Sequence, residues 1–274
     1  MMLRPGCVYC QLRRGSTYFG PKMFLVCGSC GVYEAHIECI ESADPNDKWD
    51  QSRVDAGDDW ICTHSCESVT KMLAPGGSIL SRGRTMLDED TCYSMEILKA
   101  DGDSASSNRT SREPIDTTLK IFRSCFDPLI MEDGRDMLEL VCRSHVNSDD
   151  PTDPYDFSGF RLAVLRKGSH IVSTLAFRTF GDKFVEIPLV ATKQGYRREG
   201  NCRRLIQKAE ELFQELHIQF IVLPSIPSLY DMWKNHFNLT KMEPKDISLI
   251  ENHVVTPDEN SAVMMMKDLR PLIL

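Results

Sequence analysis

Eight cysteine and histidine side chains within the first 66 residues have the chemistry and the spacing of metal ligands. They form four close pairs: Cys7 and Cys10, Cys27 and Cys30, His36 and Cys39, and Cys62 and Cys66. Thiolate and imidazole groups in sets of four are the ligands that structural zinc prefers. Short spacing lets both members of a pair reach one ion from a single tight turn. We therefore predict two zinc ions, which replace the hydrophobic core that about 65 residues cannot build.

The distribution of cysteines supports metal binding over disulfides. Seven of the eleven cysteines precede residue 67, and the other four are scattered singly. The first residues, Met1 to Cys7, contain neither an apolar segment nor a small-residue cleavage site, so no secretory signal is expected. In a reducing compartment thiols stay free to bind metal.

The order of the ligands, four cysteines, one histidine and three cysteines, resembles that of the plant homeodomain (PHD) finger. Trp60, two residues before Cys62, also matches that family, whereas the histidine of a RING finger comes fourth. The resemblance implies a cross-braced arrangement with one ion on Cys7, Cys10, His36 and Cys39 and the other on Cys27, Cys30, Cys62 and Cys66. The last pair has three intervening residues instead of two, which leaves His64 as an alternative to Cys66.

PHD fingers often bind histone tails through an aromatic cage or through acidic groups. The candidates for a cage are Tyr9, Tyr18, Phe19 and Phe24, and Gly28 stands where many members of the family carry an acid. A further segment, Glu41 to Asp59, contains seven acids: Glu41, Asp44, Asp47, Asp50, Asp55, Asp58 and Asp59. We interpret this segment as a solvated loop, with attraction of a basic tail as the alternative.

A second set of residues has the chemistry of an anion site. A glycine-containing turn leads from a strand that ends near Val190 to an amphipathic helix predicted over 201–217. Backbone N–H groups at the start of a helix, with its partial positive charge, suit a pyrophosphate. Four cations lie nearby: Arg197, Arg198, Arg203 and Arg204.

This turn resembles the acetyl-CoA loop of the GNAT superfamily of N-acetyltransferases, Arg/Gln-x-x-Gly-x-Gly/Ala. Here the loop reads Arg197-Arg198-Glu199-Gly200-Asn201-Cys202, with Cys202 in place of the last small residue. Together with residues 157–160 (FSGF), residues 186–188 (EIP) and the zinc ligands, it is similar to the plant "increased DNA methylation" histone acetyltransferases. Members of that family are usually much longer, so a short form is expected.

The resemblance implies a fold and a set of cofactor contacts. The fold class is α+β, a small two-zinc PHD finger followed by a GNAT-type mixed α/β acyltransferase domain. The acetyl-CoA contacts are expected from Leu189, Val190, Ala191, Arg197, Arg198, Glu199, Gly200, Asn201, Cys202 and Arg203. Pro188 lacks an N–H group, so strand pairing should break beside these residues.

Acetyl transfer needs a base for the lysine ammonium and sometimes an acid for the leaving thiolate. Strand alternation places Phe184, Glu186, Pro188 and Val190 on one face, and a glutamate on this strand commonly serves as the base in the superfamily. Glu186 is the candidate, and a half-buried position would raise its pKa. The alternative is an exposed glutamate that pairs with an Arg or Lys of a neighbouring strand. Trp233 stands where many acetyltransferases have a tyrosine, so Tyr230, one turn earlier, is the candidate acid, with core packing or protonation by solvent as alternatives.

The elements that must position these residues divide the chain into three parts. Residues 1–74 form the zinc finger, with a helix at its end over 67–73, and residues 75–114 form a linker with a first strand near 93–99. Residues 115–274 form the acetyltransferase domain. Its predicted order is two helices (116–125, 134–144), three antiparallel strands (160–166, 170–180, 183–192), the helix from Asn201, a strand (219–223), a helix (228–236) and a strand (262–269).

Composition narrows the range of functions. A net charge of −8 argues against a broad basic surface for DNA, and no apolar run approaches the roughly 20 residues of a membrane span. The prediction is a nuclear histone lysine acetyltransferase that uses acetyl-CoA and two zinc ions, with histone tails, nucleosomes and other chromatin proteins as partners. A non-catalytic chromatin adaptor is the main alternative, and a zinc-dependent ubiquitin ligase is a second one that the ligand order disfavours.

Overall fold

A computed structural model shows the arrangement of the chain. It describes residues 7–10, 24–50, 52–53, 56, 58–87, 92–99, 109–145, 157–247, 250, 254 and 262–271. Tyr18, Phe19 and Asp55 lie outside these ranges. Among the described residues, no helix is both long and apolar enough to cross a membrane.

The cysteine-rich module contains little regular structure. Two short antiparallel strands, β1 (Phe24–Val26) and β2 (Glu34–His36), are followed by helix α1 (Ile37–Ala43). Helix α2 (His64–Leu73) ends the module and starts three residues before the prediction. Its N-cap is Thr63, whose hydroxyl accepts a hydrogen bond from the backbone N–H of Cys66 at 3.1 Å.

A large mixed sheet forms the rest of the described structure. The described strands lie in the order β3-β4-β5-β6-β7-β8-β10-β9, and every neighbouring pair is antiparallel except β7 and β8. The strands are β3 (Thr85–Met86), β4 (Tyr93–Leu98), β5 (Arg161–Lys167), β6 (His170–Phe180), β7 (Phe184–Thr192), β8 (Phe220–Ser225), β9 (Thr240–Lys241) and β10 (Val263–Asp268).

Helices cover both faces of this sheet. Helices α4 (Arg109–Arg123) and α5 (Met137–Arg143) pack on one face, and α6 (Asn201–Glu215) and α7 (Tyr230–Phe237) pack on the other. The described short helices are α3 (Ser78–Ser81) and α8 (Pro244–Ile247). The predicted order of elements from the first of these long helices to β10 is therefore confirmed, with boundaries that differ by a few residues.

The segment predicted as a linker, 75–114, contributes regular elements to the sheet and its cover. It contains α3, β3, β4 and the start of α4, which begins at Arg109 although Pro114 lies within it. Ile79 is buried in the cluster beneath α6, and Arg84 donates a hydrogen bond to Ser94. The glycine- and serine-rich composition thus did not reveal that Ile79 and Arg84 attach this segment to the sheet. The three domain boundaries stay a prediction.

A bulge between β6 and β7 changes the alternation along β7. Pairing runs with Ala176 opposite Leu189 but with Arg178 opposite Glu186, so β7 has one extra residue. Val185 packs in the cluster beneath α6 before the bulge, and Val190 packs against the same cluster after it. The prediction that Val190 shares a face with Glu186 is therefore wrong, because the extra residue reverses the alternation.

Strands β7 and β8 pair over three residues only and then separate. Their parallel ladder ends at Glu186 opposite Val222, although both strands continue. Extending this register by two residues would bring Pro188 opposite Pro224, and neither proline has an N–H group to donate. The predicted break in pairing at Pro188 is confirmed, and the second proline was not anticipated.

Candidate functional site

The eight predicted metal ligands come together in two groups of four. One group contains Cys7, Cys10, His36 and Cys39, and the other contains Cys27, Cys30, Cys62 and Cys66. Within each group the potential ligand atoms lie within 4.8 Å of one another. Sets of three thiolates with one imidazole, and of four thiolates, fit tetrahedral zinc, so both groups can hold the ion.

The long spacing of the last pair has a structural reason. Cys66 lies in the first turn of α2, and that turn takes up the additional residue between it and Cys62. The imidazole of His64 points away from the group, with 91% of its side chain exposed and Glu67 at 3.4 Å. The alternative that His64 replaces Cys66 is therefore wrong for this structure.

Two of the seven acids in the acidic segment are paired with its arginine. Arg53 contacts Asp47 at 3.1 Å and Asp58 at 3.0 Å, and its guanidinium lies 3.9 Å from the centre of the Trp49 ring. These pairs lie at the surface, where they add little stability. The interpretation as a solvated loop fits this arrangement.

Asp59 is the acid of this segment that lies beside the zinc ligands. A Cβ atom on Gly28 would lie 2.4 Å from Cγ of Asp59, so the Asp59 carboxylate fills the space of a side chain at residue 28. The N–H of Gly28 donates to the carbonyl of Trp60 at 2.9 Å. An acid from a distant part of the chain therefore lies beside Gly28. Tyr9 and Val26 lie exposed in the same module.

The candidate base, Glu186, is fully buried and paired with a cation. Its carboxylate Oε1 accepts a hydrogen bond from Nε of Arg178 at 2.7 Å, and both side chains are buried. The guanidinium lies over the rings of Phe160 and Phe180, 4.5 and 5.2 Å from their centres. An adjacent guanidinium favours the charged form of a carboxylate, opposite to the effect of burial. The expectation of a half-buried carboxylate is therefore corrected, and the alternative of an arginine partner is found.

The predicted anion loop begins α6 with an unusual backbone. Gly200 has a φ of +79°, which glycine adopts without strain, and it is the N-cap residue of α6. Asn201 is buried, and its side-chain N–H donates to the carbonyl of Tyr196 at 2.8 Å. The loop is thus held open at the end of the helix where N–H groups lack partners.

The four arginines of this loop are not equivalent. Arg197 folds back onto the carbonyl of Thr192, and Arg204 lies over the ring of Tyr93. By contrast, Arg198 and Arg203 are exposed and make no hydrogen bond or ion pair with any residue in the described ranges. These two side chains are available to a phosphate group.

Other loop residues have structural roles. Glu199 forms an ion pair with Lys167 at 3.3 Å. Burial raises the pKa of the Cys202 thiol to about 11, so this thiol is neutral near pH 7. A neutral thiol is a poor nucleophile, so a reactive role for Cys202 is not supported.

The candidate acid Tyr230 is the first residue of α7 and packs half-buried against the cluster beneath α6. Trp233 is buried in the same cluster and lies 5.0 Å from the Phe237 ring, centre to centre. The structure thus gives Trp233 a packing role. The catalytic role of Tyr230 stays a prediction.

Sequence reasoning missed the residues that connect separate elements. Arg178 follows a run of apolar residues in β6 and carries no motif, and Asp59 was grouped with its acidic neighbours. The one available signal was Arg178 itself, since a lone charge inside an apolar strand needs a buried partner. For Asp59, only the fold brings its side chain over Gly28.

Comparison with known proteins gives the family. Residues 126–267 match the model described as "Increased DNA methylation 1, C-terminal domain", which is more than half of the chain. The chain belongs to the Increased DNA methylation 1 family. It is 28% identical over 195 residues to Increased DNA methylation 1 of Arabidopsis thaliana, an alignment that covers 68% of this chain and 16% of that protein. The chain thus spans about a sixth of the length of this curated relative.

Solved structures with a similar arrangement are acetyltransferases. Tetrahymena Gcn5 is 14% identical, with 65% of this chain and 98% of that chain covered and a TM-score of 0.49. The catalytic domain of the Tetrahymena Gcn5 histone acetyltransferase in complex with coenzyme A is also 14% identical, with 66% and 95% covered and a TM-score of 0.45. A GNAT-family acetyltransferase of Staphylococcus aureus is 17% identical, with 64% and 99% covered and a TM-score of 0.42.

Proposed function

We propose that this chain is an acetyl-CoA-dependent lysine N-acetyltransferase that modifies histones in the nucleus and docks on them through a PHD-type zinc finger. The single observation that carries the proposal is the continuity of the opening between β7 and β8 with the glycine turn that starts α6. Both features belong to one stretch of chain, from Pro188 to Arg203.

The opening offers a binding edge for an extended ligand that contains amides. Beyond Glu186, the side of β7 that faces β8 has no strand partner among the described residues. Backbone groups of Leu189, Val190 and Ala191 at such an edge can pair with the amides of a pantetheine arm, as a peptide pairs with the edge of a sheet. The arm would then lie in the position that a continued ladder would occupy.

The other end of the opening suits the phosphates of the same ligand. The N-terminus of α6 has unpaired N–H groups, and Arg198 and Arg203 carry cations without partners in the described ranges. Acetyl-CoA, when bound, supplies an acetyl group activated as a thioester. Its pantetheine amides thus match the hydrogen-bonding groups of β7, and its phosphates match the cations at the start of α6.

Glu186 is the proposed base. It lies at the last paired position before the strands separate, and its carboxylate is held by Arg178. A fixed carboxylate in its charged form can accept a proton from a lysine ammonium, directly or through a water molecule. Tyr230 is the proposed acid for the leaving thiolate.

The zinc module is the proposed docking site for a histone tail. Histone tails are basic, and the Asp59 carboxylate beside Gly28 presents an acidic group next to the second group of zinc ligands. In the same module, β1 pairs only with β2 among the residues that the structure describes, which leaves its other edge to a ligand. The main alternative, a chromatin adaptor without activity, is favoured by the engagement of Glu186 in an ion pair and by the buried Trp233.

Acetyl transfer from labelled acetyl-CoA to purified core histones tests the proposal. Glu186→Gln should lower the rate at least about a hundredfold, the usual contribution of a general base. Glu96→Gln is the matched control, because Glu96 also pairs with an arginine across the sheet, Arg166, at 3.0 Å.

Three outcomes separate the hypotheses. Loss of transfer in Glu186→Gln alone supports the enzyme and its base. Equal transfer by the wild type and both variants keeps the enzyme but rejects Glu186 as the base. Absence of transfer by every form, with the fold and two zinc ions intact, rejects the enzyme in favour of the adaptor.

A further inference from the structure

The zinc module and the large sheet share a hydrophobic core. One continuous cluster contains Trp60 and Ile40 of the module together with Phe180, Phe184 and Phe220 of the sheet. The rings of Phe180 and Phe184 stack with their centres 4.4 Å apart, on the two sides of the turn that joins β6 to β7. The turn therefore packs against the sheet on one side and against the zinc module on the other.

The contacts of this turn converge on the second group of zinc ligands. The N–H of Gly181 donates to the carbonyl of Ser29, which lies between Cys27 and Cys30, at 3.2 Å. A Cβ atom on Gly181 would lie 2.3 Å from Sγ of Cys66. Residue 181 thus has to be glycine, both because a ligand sulfur fills the space and because its φ is +53°.

Charged groups of the turn also face this site. Oδ1 of Asp182 lies 3.1 Å from Sγ of Cys66, and the ammonium of Lys183 lies 2.6 Å from the same carboxylate. Lys183 also lies 4.9 Å from the centre of the Tyr33 ring. A zinc ion with four thiolates carries a net charge of −2, and a buried anion of this kind is stabilised by an adjacent cation. The single positive charge of Lys183 offsets that of Asp182, so this pair adds no further negative charge beside the site.

A second anchor lies at the end of α2. The guanidinium of Arg161 in β5 donates to the carbonyl of Leu73, the last residue of α2, at 2.9 Å and to the carbonyl of Gly159 at 2.8 Å. Cys66 belongs to the same helix. The helix that carries a ligand of the second site is therefore tied to the sheet at its other end.

The first group of ligands differs in its surroundings. Nδ1 of His36 lies near the sulfurs of Cys10 and Cys39, and the N–H of His36 donates to Sγ of Cys7. The His36 ring also lies 4.1 Å from the Phe24 ring, and Cys7 packs in the shared cluster. The two groups are therefore matched in ligand number but differ in their connection to the sheet.

We propose that zinc at the second site fixes the β6–β7 turn and the start of β7, so that this ion is a structural part of the large sheet, whereas zinc at the first site supports the zinc module alone. Glu186 lies four residues beyond Asp182 along β7, about 13 Å at the rise of an extended strand. The ion thereby positions the strand that carries the candidate base. The inference rests on zinc binding and does not depend on acetyl transfer.

Hydrogen exchange with site-specific variants tests the proposal. Cys62→Ser and Cys39→Ser each remove a half-buried ligand, one from each site, and each should lower the zinc content by one ion. In Cys62→Ser, amide exchange over residues 184–187 should speed up about tenfold or more, because the turn loses its support. In Cys39→Ser, exchange over these residues should stay within about twofold of the wild type. Unchanged exchange in Cys62→Ser, or equal acceleration in both variants, would overturn the proposal.

A glycine pair tests the same coupling with all ligands kept. Gly181→Ala places a methyl group against Cys66, whereas Gly168→Ala, in the turn between β5 and β6, has a similar φ of +61° and nothing within 4 Å. Release of one of the two zinc ions to a chromophoric chelator should be about tenfold faster in Gly181→Ala than in Gly168→Ala. Equal release from both variants contradicts the proposal. Because all ligands are kept, this test holds even when Cys62→Ser does not fold. Neither measurement uses acetyl-CoA, so failure here and failure of the proposed enzyme are separate results.

Discussion

At the scale of single residues, the pair of Arg178 and Glu186 determines how the candidate base is held. Burying two charges is costly, and their attraction and hydrogen bond offset this cost only while both partners are present. The bulge between β6 and β7 is what brings the two side chains opposite each other. The pair thus fixes the Glu186 carboxylate, but loss of either partner would leave a buried charge that lowers the stability of the fold.

Removal of the cation alone should therefore be strongly destabilising. We expect Arg178→Met to lower the free energy of unfolding by about 3 kcal/mol, because it leaves a buried carboxylate without its arginine. Chemical denaturation with zinc in excess measures this change. The double variant Arg178→Met with Glu186→Gln should recover most of the loss, since a neutral amide replaces the unpaired charge. A cost below about 1 kcal/mol for the single variant would show that the pair is not energetically coupled.

At the scale of elements, two prolines explain the separation of β7 from β8. Pro188 and Pro224 would lie opposite each other if the ladder continued. One residue of each facing pair in a parallel ladder donates its N–H to the partner strand, and a proline there cannot. The opening is thus encoded by local chemistry on both strands.

Restoring both N–H groups should close the opening. Pro188→Val with Pro224→Val should extend the ladder by about two residues, slow amide exchange over 188–191 and weaken acetyl-CoA binding at least about tenfold. Hydrogen exchange detects the longer ladder, and calorimetric titration measures the affinity for acetyl-CoA. Wild-type affinity in the double variant would show that the prolines do not keep the strands apart.

The elements also show what the sequence could predict. The order of helices and strands from α4 to β10 and the grouping of the zinc ligands followed from periodicity, spacing and resemblance, because these signals are local or repeat at short range. The bulge at Ile187 and Pro188, the pairing of Arg178 with Glu186 and the packing of Gly181 on Cys66 did not. Each of these depends on residues that are distant in the chain and meet only in the fold.

At the scale of the whole molecule, the zinc module and the sheet share one hydrophobic core, so a tail bound as proposed would rest on the same scaffold as the candidate base. Their shared core contains Trp60 and Phe184, and Asp59 directly precedes Trp60. The net charge of −8 favours basic partners for the whole chain.

A charge-specific variant tests docking. Asp59→Asn should lower the affinity for an unmodified histone-tail peptide about tenfold, the loss expected for one charge-assisted hydrogen bond at an exposed site. Asp58→Asn is the matched control, because the Asp58 carboxylate is already paired with Arg53. Fluorescence anisotropy with a labelled peptide measures both. Equal affinities for the two variants would place the docking surface elsewhere.

The most direct test of the whole account is calorimetric titration of the zinc-loaded protein with acetyl-CoA, since binding requires no knowledge of the acetylated lysine. We expect one bound molecule per chain and a loss of affinity of about a hundredfold in Arg198→Ala with Arg203→Ala. A control that removes two paired surface arginines, Arg123→Ala with Arg270→Ala, should bind as the wild type does. Absence of binding by the folded wild type, or equal affinity in the two double variants, would contradict the account.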